Sequence, residues 1–141
     1  MLVAFLCVAA LYPVKSEAQI TYDIEADIPF QFHAGNAKFP AGNYTIRHFD
    51  DSDETVLEIS SADGKLSAVF SVEASQANAT PSKGELIFNR YGNRYFLSQL
   101  FEEGSTRGNR VVESRYEKKL GQASATGQEH VSVKRRALQG K

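Results

Sequence analysis

The chain has no tryptophan, one cysteine, one methionine, four prolines and three histidines among 141 residues. The single cysteine, Cys7, falls in an apolar N-terminal run, so everything after it lacks a thiol and no disulfide can staple the fold. Small disulfide-rich scaffolds, cysteine nucleophiles and thiolate metal sites are thereby excluded. Net charge is only −1, with 42% hydrophobic and 23% charged residues, a composition that excludes wholesale disorder and collagen-like structure. A chain of this length forms one domain with a real core.

Leu2 to Val14 is the one long apolar run, too short to span a bilayer as a stable helix. Ser16-Glu17-Ala18 follows as a small-x-small triplet suited to cleavage before Gln19. The expected division is therefore a signal peptide over 1–18, a single β domain over 19–136 and a disordered tail over 137–141. That implies an exported protein, periplasmic or extracellular, with no stable membrane insertion once the signal is removed. No lysine or arginine precedes the apolar run, and Ala4-Phe5-Leu6-Cys7 is not a lipoprotein box.

The mature part alternates with period two. Tyr22, Ile24, Ala26, Ile28, Phe30 and Phe32 share one face of a first strand, and Pro29 requires an edge or a bulge. Pro40-Ala41-Gly42 reads as a type I turn, after which Tyr44, Ile46 and His48 line one face of the next strand. That strand stops at the acidic cluster Asp50 to Glu54.

Two hairpins can be registered from sequence. A two-residue loop at Asp63-Gly64 pairs Leu57 with Phe70 and Ile59 with Ala68 on one face, and Glu58 with Val69 on the other. Gly92-Asn93 joins Glu85–Tyr91 to Arg94–Phe101. Its register places Leu86, Phe88, Tyr95, Leu97 and Phe101 on one face and Ile87, Tyr91, Phe96 and Leu100 on the other. Both faces are apolar, so both need cover. A helix is expected to supply it: Ser114-Arg115-Tyr116-Glu117 has the form of a capping box, and Val112, Tyr116 and Leu120 recur every four residues. His130 to Lys134 reads as a last strand before the basic end Lys134-Arg135-Arg136. The fold class is all-β, an antiparallel meander of six or seven strands forming a barrel or sandwich, with one short C-terminal helix. A barrel is preferred because the long first strand can pair with a late one.

Pro29-Phe30-x-Phe32, Phe39-Pro40-Ala41-Gly42-x-Tyr44-x-Ile46, Phe88-Asn89-Arg90-Tyr91-Gly92, Tyr95-Phe96-Leu97-Ser98 and Ser114-Arg115 together resemble a family of small exported bacterial proteins with no assigned activity. The resemblance implies an exported β domain. Its motifs are turn and core residues, so it carries over no catalytic positions.

Chemical motifs are scarce. His33, His48 and His130 lack the short spacings of zinc sites. Counted from Asp51, an EF-hand loop would need glycine at Val56 and glutamate at Ala62, so the acidic cluster reads as a solvated turn. There is no G-x-S-x-G elbow and no phosphate-binding glycine loop. Residues 19–80 carry a net −7 and residues 81–141 a net +6. Arg90, Tyr91, Arg94 and Tyr95 interleave bases and aromatics, but the hairpin register faces Arg90 with Tyr95 and Arg94 with Tyr91. These cations are therefore expected to stack within the domain rather than on a nucleic acid.

The sequence reading is a non-catalytic exported binding or structural module: no enzyme, no catalytic or metal residues, no cofactor and no nucleic acid. The expected partner is an unknown protein or envelope component, met at the acidic turn Asp50–Glu54 or the basic end Lys134–Arg136. The alternatives are a carrier holding an apolar ligand inside a hollow barrel, or a small hydrolase or isomerase.

Overall fold

The computed structural model describes residues 23–50, 52–123 and 126–136; the expected signal peptide and C-terminal tail lie outside them. Ten strands and one helix follow in order: β1 (Asp23–Ile28), β2 (Phe32–Ala34), β3 (Ala37–Phe39), β4 (Gly42–Asp50), β5 (Asp53–Ser61), β6 (Ser67–Gln76), β7 (Glu85–Tyr91), β8 (Arg94–Phe101), β9 (Arg107–Val111), α1 (Arg115–Ala123) and β10 (Thr126–Arg136). Eight of the strands close an antiparallel barrel in the order β1-β4-β5-β6-β9-β8-β7-β10, with β10 pairing back onto β1. The barrel and the pairing of the first strand with a late one agree with the sequence reading.

The strand count and order depart from it. The barrel has eight strands rather than six or seven, and the order is not a pure meander. The chain runs β1-β4-β5-β6 around one side, then passes over the places of β9 and β8 to enter β7. Strands β7-β8-β9 run back until β9 meets β6, and the α1 connection returns the chain to β10. Alternation reveals hairpins, but a ladder between strands distant in sequence leaves no local signal.

Pro29 decides what becomes of the first apolar alternation. Strand β1 is hydrogen-bonded on both sides, to β4 and β10, so a residue without an N–H cannot continue it. The strand ends at Ile28, the chain leaves the ladder, and Phe32 restarts as β2 in a two-residue parallel pairing with Tyr95 and Phe96 of β8. Strand β7 occupies one edge of β8 along its length, and β2 and β9 share the other edge. The small β2–β3 hairpin thus fills the wall between β8 and β6 beyond the end of β9. At its tip Gly35 has φ +59°, and a Cβ there would stand 3.0 Å from the Phe70 Cβ on β6.

The interior is an aromatic and aliphatic cluster. Phe32 is fully buried, with its ring centroid 5.4 Å from Phe39, 5.1 Å from Tyr44 and 5.5 Å from Phe88. Ile24, Ile28, Ile46, Leu57, Ile59, Leu86 and Leu97 complete the cluster around these rings. The Tyr44 hydroxyl donates to the Pro40 carbonyl at 2.5 Å, tying β4 to the bend before it.

The β5–β6 ladder has the register read from the sequence, Leu57 opposite Phe70 and Glu58 opposite Val69. Its loop is longer than expected. Ser61 N donates to Leu66 O and Gly64 N to Ser61 O, so Ala62 to Lys65 form a four-residue connection. Only Gly64 has positive φ; Asp63 instead accepts from Ser61 Oγ and Lys65 N.

The β7–β8 register holds from Tyr91/Arg94 to Phe88/Leu97, then slips at a bulge, so that Ile87 faces Gln99. The extra residue exchanges the two faces beyond it. Leu100 joins the core, and Phe101 lies on the outer side over Gly108.

Helix α1 covers the outside of this hairpin, but not with the expected stripe. Val112 and Tyr116 are about half exposed, whereas Glu117 is buried. Ser114 Oγ accepts from Glu117 N at 3.1 Å, which is one half of the capping box. The other half is absent, because the Glu117 carboxylate turns inward and accepts from Tyr91 Oη (2.8 Å) and Asn89 Nδ2 (3.0 Å). Two outer-face donors of β7, the buried Tyr91 hydroxyl and the half-buried Asn89 amide, compete for that carboxylate better than a solvated backbone N–H does.

Candidate functional site

The positions singled out in the sequence lie apart from one another. His48 is on β4 opposite Leu57, and His130 is on β10 with Nδ1 3.1 Å from the Glu85 carboxylate. No group of three metal-ligating side chains occurs among the described residues. The acidic turn satisfies itself: Asp50 accepts from Ser52 N and Oγ, and Asp53 from Thr55 N and Oγ1. These bonds hold both carboxyls below their usual range. The basic end is laid along the acidic first strand, with Lys134 opposite Glu25 and Arg136 opposite Asp23. The oppositely charged halves of the sequence thus meet at the seam that closes the barrel. Arg110 likewise pairs with Glu73 across β9 and β6 at 3.1 Å.

His33 stands in a different setting. The β2–β3 ladder faces it with Lys38, and the parallel pairing with β8 lays its ring on Phe96, centroids 4.5 Å apart and planes within 11°. Tyr116, from the first turn of α1, leans over both rings at 5.7 Å. Arg94, the first residue of β8, holds its guanidinium 5.7 Å from the Tyr116 ring centroid. Arg94 was expected on Tyr91, but the Tyr91 hydroxyl is engaged by Glu117 beneath the helix, and Tyr116 is the ring within reach. Arg90 does sit over Tyr95, at 5.8 Å, as expected.

Together with Gln31 and Asn93, these side chains enclose a polar groove of about 320 Å³ on the outside of the barrel wall. No carboxylate lines it. Among the described residues neither Lys38 nor Arg94 is in an ion pair, whereas Arg47, Arg90 and Arg110 each have a glutamate. His33 Nδ1 is shielded from solvent. Burial pushes the imidazole below its ordinary value, a backbone hydrogen bond to Tyr95 opposes this, and the charges of Lys38 and Arg94 add to the depression. The groove therefore combines a neutral imidazole with two uncompensated cations.

The sequence pattern weighs His33 only as a metal ligand and gives no signal for Lys38 or Gln31. The β2–β3 hairpin sets His33 opposite Lys38. Nothing local indicates that this hairpin docks on β8 beside Arg94. A family model, a curated protein and a solved structure were each sought for this chain, and none matches.

Proposed function

We propose that the protein is an exported, non-catalytic binding module whose recognition surface is the outside of a filled barrel, at the groove around His33, Lys38 and Arg94. The observation that carries this reading is the packing of the interior. Phe32, Phe39, Tyr44 and Phe88 meet ring to ring across the space that a carrier would keep for cargo. These rings fall in three of the five segments by which the chain resembles small exported bacterial proteins, which suits a scaffold stabilised without disulfides. No helix among the described residues is long and apolar enough to cross a membrane.

Native mass spectrometry of protein recovered from the exported fraction tests the proposal. The expected product begins at Gln19, lacks residues 1–18 and carries no small-molecule adduct. A mature product retaining Leu2 to Val14 would refute export. A reproducible apolar adduct would refute the filled module in favour of a carrier.

A further inference from the structure

We propose that the groove between the β2–β3 hairpin, the start of β8 and Tyr116 is a binding site for a small oxyanion, a carboxylate or phosphate group on a compact polar molecule. This deepens the reading of the groove as the recognition surface and rests on it.

Charge makes the first argument. Lys38 and Arg94 approach one imidazole from two strands closely enough for each to disfavour its protonation, and neither has a counter-ion among the described residues. Elsewhere on the same barrel, exposed arginines are matched by glutamates across the ladder, as Arg47 is by Glu58 at 2.9 Å. Two cations left together without a carboxylate are repelled by one another, and an anion between them removes that repulsion.

Preorganisation makes the second. Lys38 and Arg94 spring from β3 and β8, the two strands that flank β2, and Arg94 rests on the Tyr116 face. A ligand therefore does not have to order a loop to engage them. The amides of Gln31 and Asn93 add hydrogen-bonding capacity around the charge.

Size and polarity select the ligand. A volume of about 320 Å³ is at the low end of small-molecule sites, which run from roughly 300 to 1,000 Å³. That is room for a compact molecule. It is too confined for a polynucleotide, which needs an extended basic track, and the mainly polar lining offers little to an acyl chain.

The test is a titration of the isotopically labelled mature protein in low-salt buffer with sodium phosphate, glucuronate and, as a neutral control, glucose. Amide shifts are followed by NMR. Saturable shifts confined to Gln31–Lys38, Asn93–Tyr95 and the start of α1 are expected with phosphate or glucuronate, weakening as sodium chloride is raised. Which of the two binds more tightly identifies the source of the oxyanion. Lys38→Gln and Arg94→Gln should each weaken binding by about tenfold or more. Lys38→Arg should restore it, and Arg47→Gln, away from the groove, should leave it unchanged. No saturable shift with either anion overturns the proposal. So does an equal response to glucose, or shifts centred on Arg107 and Arg110. In each case an unliganded native mass would leave the filled-module reading standing, whereas an apolar adduct would remove that reading whatever the anion titration shows.

Discussion

Replacing Phe32 by alanine tests whether the β2–β3 hairpin is part of the barrel wall or merely rests upon it. The ring is fully buried and contacts the Phe39, Tyr44 and Phe88 rings within 5.5 Å. A buried phenylalanine removes roughly 150–250 Å² from water, worth about 4–6 kcal/mol at 25 cal/mol per Å². Residual burial in the unfolded chain lowers this to about 3–5 kcal/mol, the range found for buried Phe→Ala substitutions. Against a total stability of about 5–15 kcal/mol the loss is large, and it should lower the melting temperature by roughly 10–20 °C. Urea denaturation followed by tyrosine fluorescence, undisturbed by any tryptophan, measures it directly. Phe49→Ala is the control: that ring is 59% exposed and should cost no more than about 0.5 kcal/mol. A cost for Phe32→Ala below about 1 kcal/mol would refute the reasoning, for it would mean that the hairpin can leave without opening the core.

What the sequence disclosed and what it concealed divide along one physical line. The β5–β6 pairing was legible because turn chemistry and alternation are local and had to agree: a one-residue slip would put Leu57 and Phe70 on opposite faces. The β7–β8 pairing was legible only as far as Leu97. Beyond it both Leu100 and Phe101 are apolar, so the pattern is blind to a bulge that exchanges their faces. Glu117 was read by its position in a capping box, where a glutamate ordinarily reaches back to the cap. Tyr91 and Asn89, which take its carboxylate instead, are more than twenty residues away in sequence. The groove was hidden for the same reason. Its cations and its imidazole come from β2, β3 and β8, and a parallel pairing two residues long brings them together. A break at Pro29 was foreseeable; where the chain went next was not.

The remaining predictions probe backbone, register and buried charge. Gly64→Ala, at φ +73° with no atom within 4 Å of the new Cβ, should cost about 1–2 kcal/mol. Gly35→Ala adds the 3.0 Å approach to Phe70 and should cost about 2–4 kcal/mol; equal losses in chemical denaturation would mean that the hairpin tip does not press on β6. Leu57→Ala, fully buried, should cost about 2–5 kcal/mol, and Glu58→Ala, which forfeits only an outer-face ion pair with Arg47, no more than about 1 kcal/mol. Comparable losses at the two positions would refute the assigned core face. The last prediction concerns Glu117, whose carboxyl is pushed above its ordinary range, chiefly by burial under α1 and partly by Glu113, against the hydrogen bonds from Asn89 and Tyr91. The folded state then holds this proton more tightly than the unfolded chain, so stability is highest below the ordinary glutamate value and declines as pH rises through the elevated one. Asp50, Asp53 and Asp63 are shifted the opposite way, and their contributions fade instead as pH falls. Glu117→Gln keeps an acceptor for Tyr91 Oη and Asn89 Nδ2 while removing the titration. Urea midpoints from about pH 4 to about pH 8 should therefore lose the decline that the native protein shows above the ordinary glutamate value. Glu117→Ala strands both donors and should cost about 1–3 kcal/mol, with α1 loosened from the barrel. A glutamine variant that retained the native pH profile would show that the carboxylate beneath α1 is not the group that titrates.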